Sequence, residues 1–143
     1  MIRKTCIFAL VVSLFLIFLI SGPAQARQGL TISESSAEAE FPLGLRFNLS
    51  AESDAHIIDV RLYYTVDWES YAQVTSEVYI EFVPDTTVNV NWSLDMRKIG
   101  GLPPGSMVEY WWTIEDTSGS QIKTTPLRVS FDDNRYSWQS LTE

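Results

Sequence analysis

Val108-Glu109-Tyr110-Trp111-Trp112-Thr113-Ile114-Glu115-Asp116-Thr117-Ser118-Gly119 alternates large apolar and polar side chains, then breaks at Asp-Thr-Ser-Gly. A half-buried antiparallel strand that runs into a hairpin has this pattern. By the period of two, Val108, Tyr110, Trp112 and Ile114 share one face, and Glu109, Trp111, Thr113 and Glu115 share the other. The first set is the expected core face. A Tyr or a Trp buries roughly 150 to 250 Å² at about 25 cal/mol per Å², so this strand is expected to bury more apolar surface than any other segment. Gly119 supplies the positive backbone angle that the hairpin needs.

Outward from this strand, the same alternation recurs at roughly ten-residue spacing. Leu30 to Ser33 is a short first strand, followed by a polar, acidic stretch from Glu34 to Glu40. Leu43, Leu45, Phe47, Leu49 and Ala51 mark the inward face of a second strand, which Ser53-Asp54 turns. Val60, Leu62, Tyr64 and Val66 mark a third, and Val74 to Val83 reads as a fourth with Val78, Ile80 and Phe82 inward. Pro84-Asp85-Thr86 is a turn, because proline cannot donate to a ladder and presets a bend. Val88, Val90, Trp92 and Leu94 mark the fifth strand. From Asp95 to Ser106 the pattern stops, with a single helical turn expected at Met96 to Ile99. Leu127, Val129 and Phe131 form the seventh strand. Seven short strands with no crossover helices predict an all-β fold, a two-sheet Greek-key β-sandwich. Leu102 followed by Tyr110 fits a tyrosine-corner arrangement at the entry to the sixth strand.

The first 26 of the 143 residues read as a secretory signal helix. Arg3 and Lys4 precede an apolar run from Ile7 to Ile20, and Ala24-Gln25-Ala26 supplies a small-x-small cleavage site. The run is 14 residues long, whereas a spanning helix needs about 20. The alternative is an uncleaved anchor, through which alone the chain would meet a membrane. Cys6, the only cysteine, precedes the run, so the mature part has neither a disulfide nor a thiolate metal site. Removing Arg3 and Lys4 takes the formal charge from −8 to −10. Such an acidic domain argues against nucleic acid and anionic membrane surfaces as partners. Three parts follow: a signal peptide over 1–26, a β-sandwich over 27–131, and a linker over 132–143.

Catalytic chemistry finds little support in this sequence. His56, the only histidine, sits at a predicted turn with no nucleophile or paired carboxylate at a usable spacing. No zinc, phosphate-loop or nucleophile-elbow motif is present, and no cofactor is expected. Glu115-Asp116 and Asp132-Asp133-Asn134 offer hard oxygen ligands that suit calcium better, without a regular loop spacing. Asn48-Leu49-Ser50 and Asn91-Trp92-Ser93 match the glycosylation sequon inside predicted strands. The most informative surface feature is aromatic. Tyr63 and Trp111 share the outward parity of neighbouring strands, and Tyr79 joins them if the fourth strand lies in that sheet. These three form a candidate interaction surface.

Leu102-Pro103-Pro104-Gly105 followed by Tyr110-Trp111-Trp112-Thr113-Ile114-Glu115-Asp116-Thr117-Ser118-Gly119 resembles the last strands of bacterial immunoglobulin-like modules, with Ser120 where those carry Asn. Together with the tail Ser130-Phe131-Asp132-Asp133-Asn134-Arg135-Tyr136-Ser137-Trp138-Gln139-Ser140-Leu141-Thr142-Glu143, it resembles the front part of secreted bacterial metallopeptidases of the peptidase MA-like (gluzincin) family. The resemblance implies an immunoglobulin-like or fibronectin-III-like sandwich ahead of a zinc peptidase domain, with the polypeptide expected to continue past Glu143. No position here matches that family's zinc ligands or general base, so the implied role is that of a non-catalytic accessory domain. Arg135, Tyr136 and Trp138 are the implied interdomain contacts. The partner is then the following peptidase domain or another protein. The alternative is a stand-alone secreted module that binds protein or carbohydrate on the outward aromatic face.

Overall fold

A computed structural model describes residues 29–67, 74–133 and 135. The predicted signal helix, Tyr136 and Trp138 lie outside the described residues. Most of the described chain is β-strand, in one curled antiparallel sheet of seven strands. The strands are β1 (Thr31–Glu40), β2 (Gly44–Asp67), β3 (Thr75–Tyr79), β4 (Asp85–Asp95), β5 (Ser106–Asp116), β6 (Gln121–Lys123) and β7 (Leu127–Phe131), with a short helix α1 (Met96–Ile99) between β4 and β5. No helix among the described residues is long and apolar enough to cross a membrane.

The long strand β2 organises the sheet. Its first half, from Gly44 to Glu52, lies between β1 and β4, and its second half, from Ile57 to Asp67, lies between β3 and β5. The pairing slips between Glu52 and Ile57, which is where the strand bends. Two wings therefore curl towards each other around one core. Phe47 from the first half of β2 shows how they meet: its ring is 5.1 Å from Tyr110 of β5, 6.0 Å from Trp92 of β4 and 6.3 Å from Tyr64 in the second half of β2. Leu45, Phe47, Leu49, Val60, Leu62, Val108, Trp112 and Ile114 are fully enclosed between the wings. Large apolar side chains at every second position make this core, because in a curled sheet only one face of each wing is removed from water.

The structure departs from the sequence reading in five places. The stretch from Glu34 to Glu40 is strand, since Ala37 and Ala39 pack on the core while Glu38 and Glu40 alternate away from it. Ser53-Asp54 does not separate two strands, because the chain stays extended through the bend. β3 stops at Tyr79 instead of running to Val83; Ile80 leaves the regular ladder and donates its N–H to Val60 O at 3.0 Å. Leu43 was expected inward and instead is 64% exposed, at a turn held by Leu43 N–H donating to Glu40 O. β6 was not foreseen. Thr124, just after it, bonds both ways to Trp112 of β5, through its N–H to the Trp112 carbonyl and its hydroxyl from the Trp112 N–H. The helical turn at Met96 to Ile99 forms as expected, capped by Asp95, whose carboxylate accepts the Arg97 N–H.

Candidate functional site

The outward face of the wing β3-β2-β5-β6 carries the aromatic residues. Tyr63 and Trp111 are register partners across β2 and β5, so their side chains rise from the sheet side by side. Their rings are parallel to within 3°, with centroids 5.6 Å apart. Lys123 of β6 also lies over this indole, with Nζ 4.9 Å from the ring centroid. β5 lies between β2 and β6, so Tyr63 and Lys123 reach Trp111 from the two strands that flank it. The result is a stack in which one indole is in contact with both a tyrosine ring and a cation.

Charged residues extend the stack towards β3. The Tyr63 hydroxyl donates to Glu77 at 3.0 Å, and the same carboxylate oxygen accepts from the Arg61 guanidinium at 2.7 Å. Arg61 also donates to Asp59 at 2.8 Å. The Arg61 guanidinium first, and the Tyr63 hydroxyl second, hold the Glu77 carboxyl below its ordinary range. Bonding to Glu77 and Asp59 in turn strengthens the hold of Arg61 on its proton. These groups are exposed, so water screens the pairs and they serve more to orient Tyr63 than to stabilise the sheet. Tyr79 stands apart from the stack. It pairs in register with Arg61 rather than Tyr63, and its ring is 58% exposed.

Beside Trp111, towards the Ser106 end of β5, lies an open hollow of about 270 Å³ lined by Thr65, Asp67, Thr75, Met107, Glu109, Trp111 and Arg128. Glu109 accepts from Arg128 at 2.9 Å across its rim, and the hydroxyls of Thr65 and Thr75 are 3.2 Å apart. The hollow has hydroxyls, both signs of charge and an indole edge. That set suits a polar side chain or a sugar hydroxyl better than a purely apolar group.

The other residues singled out in the sequence have local structural partners. His56 is exposed, and its carbonyl accepts the Thr117 N–H at 2.8 Å. Asp116 is buried and already saturated: it accepts from the hydroxyls of Ser53 at 2.6 Å and Ser118 at 2.5 Å, and from the N–H groups of Ser118 and Ser120. The Ser118 hydroxyl, followed by that of Ser53, pulls its carboxyl below the ordinary range. Asp133 is held by Arg135, whose guanidinium donates at 2.7 and 2.8 Å. Among the described residues no group of three or more His, Cys, Asp and Glu is arranged to hold a metal ion. Asn91 is exposed on β4, whereas Asn48 is partly buried and donates to the Ser36 hydroxyl at 3.4 Å. Tyr110 is buried, and this pushes its phenol up, an effect that Ser35 of β1 partly offsets.

The hydroxyl partners of Asp116 and the Lys123 contact with Trp111 were not identified from the sequence. Asp116 depends on the bend that brings Ser53 to the β5–β6 hairpin, and Lys123 depends on a three-residue strand.

No protein-family model matches the chain, and no curated protein matches it in sequence. Among solved structures, its fold is similar to that of wild-type OgpA from Akkermansia muciniphila, in two crystal forms. One superposes with a TM-score of 0.50 at 8% identity, covering 78% of this chain and 31% of OgpA. The other gives 0.49 at 8% identity, covering 75% and 30%. This chain spans less than a third of the OgpA chain, and the likeness is one of fold alone.

Proposed function

We propose that this chain is the immunoglobulin-like accessory domain of a secreted, peptidase MA-like metallopeptidase, with no catalytic group of its own. In this reading the β1-β2-β4 and β3-β2-β5-β6 wings of the single curled sheet, continuous through the bent β2, correspond to the two layers of a Greek-key sandwich. The tail resemblance points to a zinc peptidase domain further along the polypeptide. The fold likeness to under a third of a longer chain is in keeping with a domain that works as part of a larger protein.

One observation favours the accessory role over a glycan-binding platform. Sugar rings stack on open aromatic planes, and Trp111 is already in contact with Tyr63 and with Lys123. What the stack offers outward is ring edges, the Tyr63 hydroxyl and charged groups, the mixed chemistry of a protein-facing surface. In this reading Tyr63, Trp111 and Tyr79 meet a protein neighbour. The stand-alone module reading has one feature in its favour, the hollow beside Trp111, whose hydroxyls and Glu109–Arg128 pair are of a kind that also meets sugars.

The experiment is to express the whole open reading frame with and without residues 27–131. The accessory reading expects a secreted zinc peptidase whose yield or activity falls when the domain is removed. A frame that stops at Glu143, together with saturable binding in a glycan screen that Trp111→Ala abolishes, would establish the stand-alone module instead.

A further inference from the structure

Among the described residues β4 pairs with β2 alone, so along its other side every second N–H and C=O points away from the sheet without a ladder partner. The remaining edges are shielded. β3 and β7 have five residues each and β6 has three, too short to template another strand. β1 has ten, but its pairing slips between Ile32 and Glu34, it carries Glu34, Glu38 and Glu40, and it lies against β7. β4 has none of these devices. Its register with β2 is regular from Thr87 to Asp95, and Thr86-Thr87-Val88-Asn89-Val90-Asn91-Trp92-Ser93-Leu94 holds no charge, no proline and no glycine.

The packing under the same strand is incomplete. Val88, Val90, Trp92 and Leu94 share its inward face; Val88 and Leu94 are buried, whereas Val90 and Trp92 between them are only partly so. The Trp92 ring packs on Phe47 and Tyr64 at 6.0 and 5.8 Å, so the core is left partly uncovered along the middle of this edge. A further strand beside β4 would cover it.

We infer that this edge pairs antiparallel with the same edge of a second copy of the chain, about a two-fold axis at Val90. The nine uncharged residues from Thr86 to Leu94 are centred on Val90. In that register Asn89 of one copy faces Asn91 of the other and Thr87 faces Ser93, and each of these side chains both donates and accepts. On the inward face Val88 meets Trp92, and the two Val90 residues meet each other. Each copy has a net charge of −8, and within this run no carboxylates are opposed. Beyond it Asp85 faces Asp95, whose charge Arg97 offsets at 2.8 Å. Nine residues a side is well under the roughly 20 to 30 of a standard interface, so the association is weak and concentration-dependent. The inference does not rest on the accessory-domain reading.

Sedimentation velocity of the full polypeptide over a dilution series tests it. Asn89 and Asn91 are exposed on the outward face, so Asn89→Lys with Asn91→Lys leaves the core intact, and unchanged melting checks that. The double variant opposes like charges at two cross-strand pairs and should weaken the dimer roughly tenfold or more. Asn89→Glu with Asn91→Glu should weaken it in the same way, and an equal mixture of the two double variants should recover at least the unaltered affinity. A distorted edge would not recover on mixing. A protein that is monomeric throughout, a dimer that neither double variant weakens, or weakening with no recovery in the mixture would each overturn the pairing while leaving the accessory role standing.

Discussion

Replacing Tyr63 and Trp111 by leucine, singly and together, tests the stack on the outer face. Leucine keeps the apolar bulk of the strand positions and removes the ring faces. The parallel rings at 5.6 Å form an offset stack, worth about 0.5 to 1.5 kcal/mol beyond the area buried. The Lys123 contact at 4.9 Å adds about 0.5 to 1 kcal/mol at a surface site. Trp111→Leu loses both and should destabilise by about 1 to 2.5 kcal/mol. Tyr63→Leu loses the stack and the hydroxyl contact with Glu77. That contact is lost whether or not Trp111 is present, so it cancels in the cycle. Urea unfolding of the chain without residues 1–26 gives the four stabilities. The expected coupling energy is about 1 kcal/mol, and the double variant loses less than the sum of the singles. A coupling below about 0.3 kcal/mol, the additivity of independent sites, would mean that the rings are neighbours without being partners. The same variants serve as probes of association, because a docking surface built on this stack should weaken in Trp111→Leu.

Further expectations follow from the turns and the buried carboxylate. A Cβ on Gly44 would lie 2.7 Å from the Leu94 carbonyl oxygen, a backbone atom of the paired strand; Gly44→Ala should therefore push β4 away and cost about 1 to 3 kcal/mol in thermal unfolding. Gly119 has φ of 82°, so Gly119→Ala should cost about 1 kcal/mol by the same measurement, although nothing crowds the site. The Asp116 carboxyl titrates below its ordinary range in the folded chain, so its contribution to stability is present above the unfolded value near pH 4 and is lost as pH falls through the folded value. Asp95, held at about 2 by Arg97, behaves in the same way. Melting temperature should therefore drop between about pH 4 and pH 2, and Asp116→Asn, less stable at neutral pH, should show a shallower drop. Parallel pH profiles for the two proteins would remove Asp116 from the account.

The sequence exposes the β5 core face because its information is carried by large residues at a strict period of two: Val108, Tyr110, Trp112 and Ile114 are all buried. The facing of Tyr63 and Trp111 followed from the same parity once the two strands were placed side by side. Less of β1 was visible, since an edge strand needs apolar contact on only part of one face, and Ala37 and Ala39 among Ser and Glu give too faint a pattern. The continuity of β2 was hidden for the opposite reason. Polar Ser53 and Asp54 look like a hairpin turn, yet the structure uses Ser53 to donate to Asp116 across the bend, a partner that lies 63 residues away. β6 contributes only Ile122 as an apolar residue and is stabilised by its pairing with β5, a long-range effect that no local pattern carries. With β6 went the Lys123 contact with Trp111.

In the proposed reading these residues are the first folded domain of a longer secreted peptidase. Intact-mass analysis and N-terminal sequencing of the mature protein recovered from the culture medium test it most directly. The account predicts a species that begins at Arg27, has a mass well above the 16.2 kDa of this chain, and carries stoichiometric zinc. A secreted species that ends at Glu143, or one that stays in the membrane fraction with residues 1–26 attached, would contradict it.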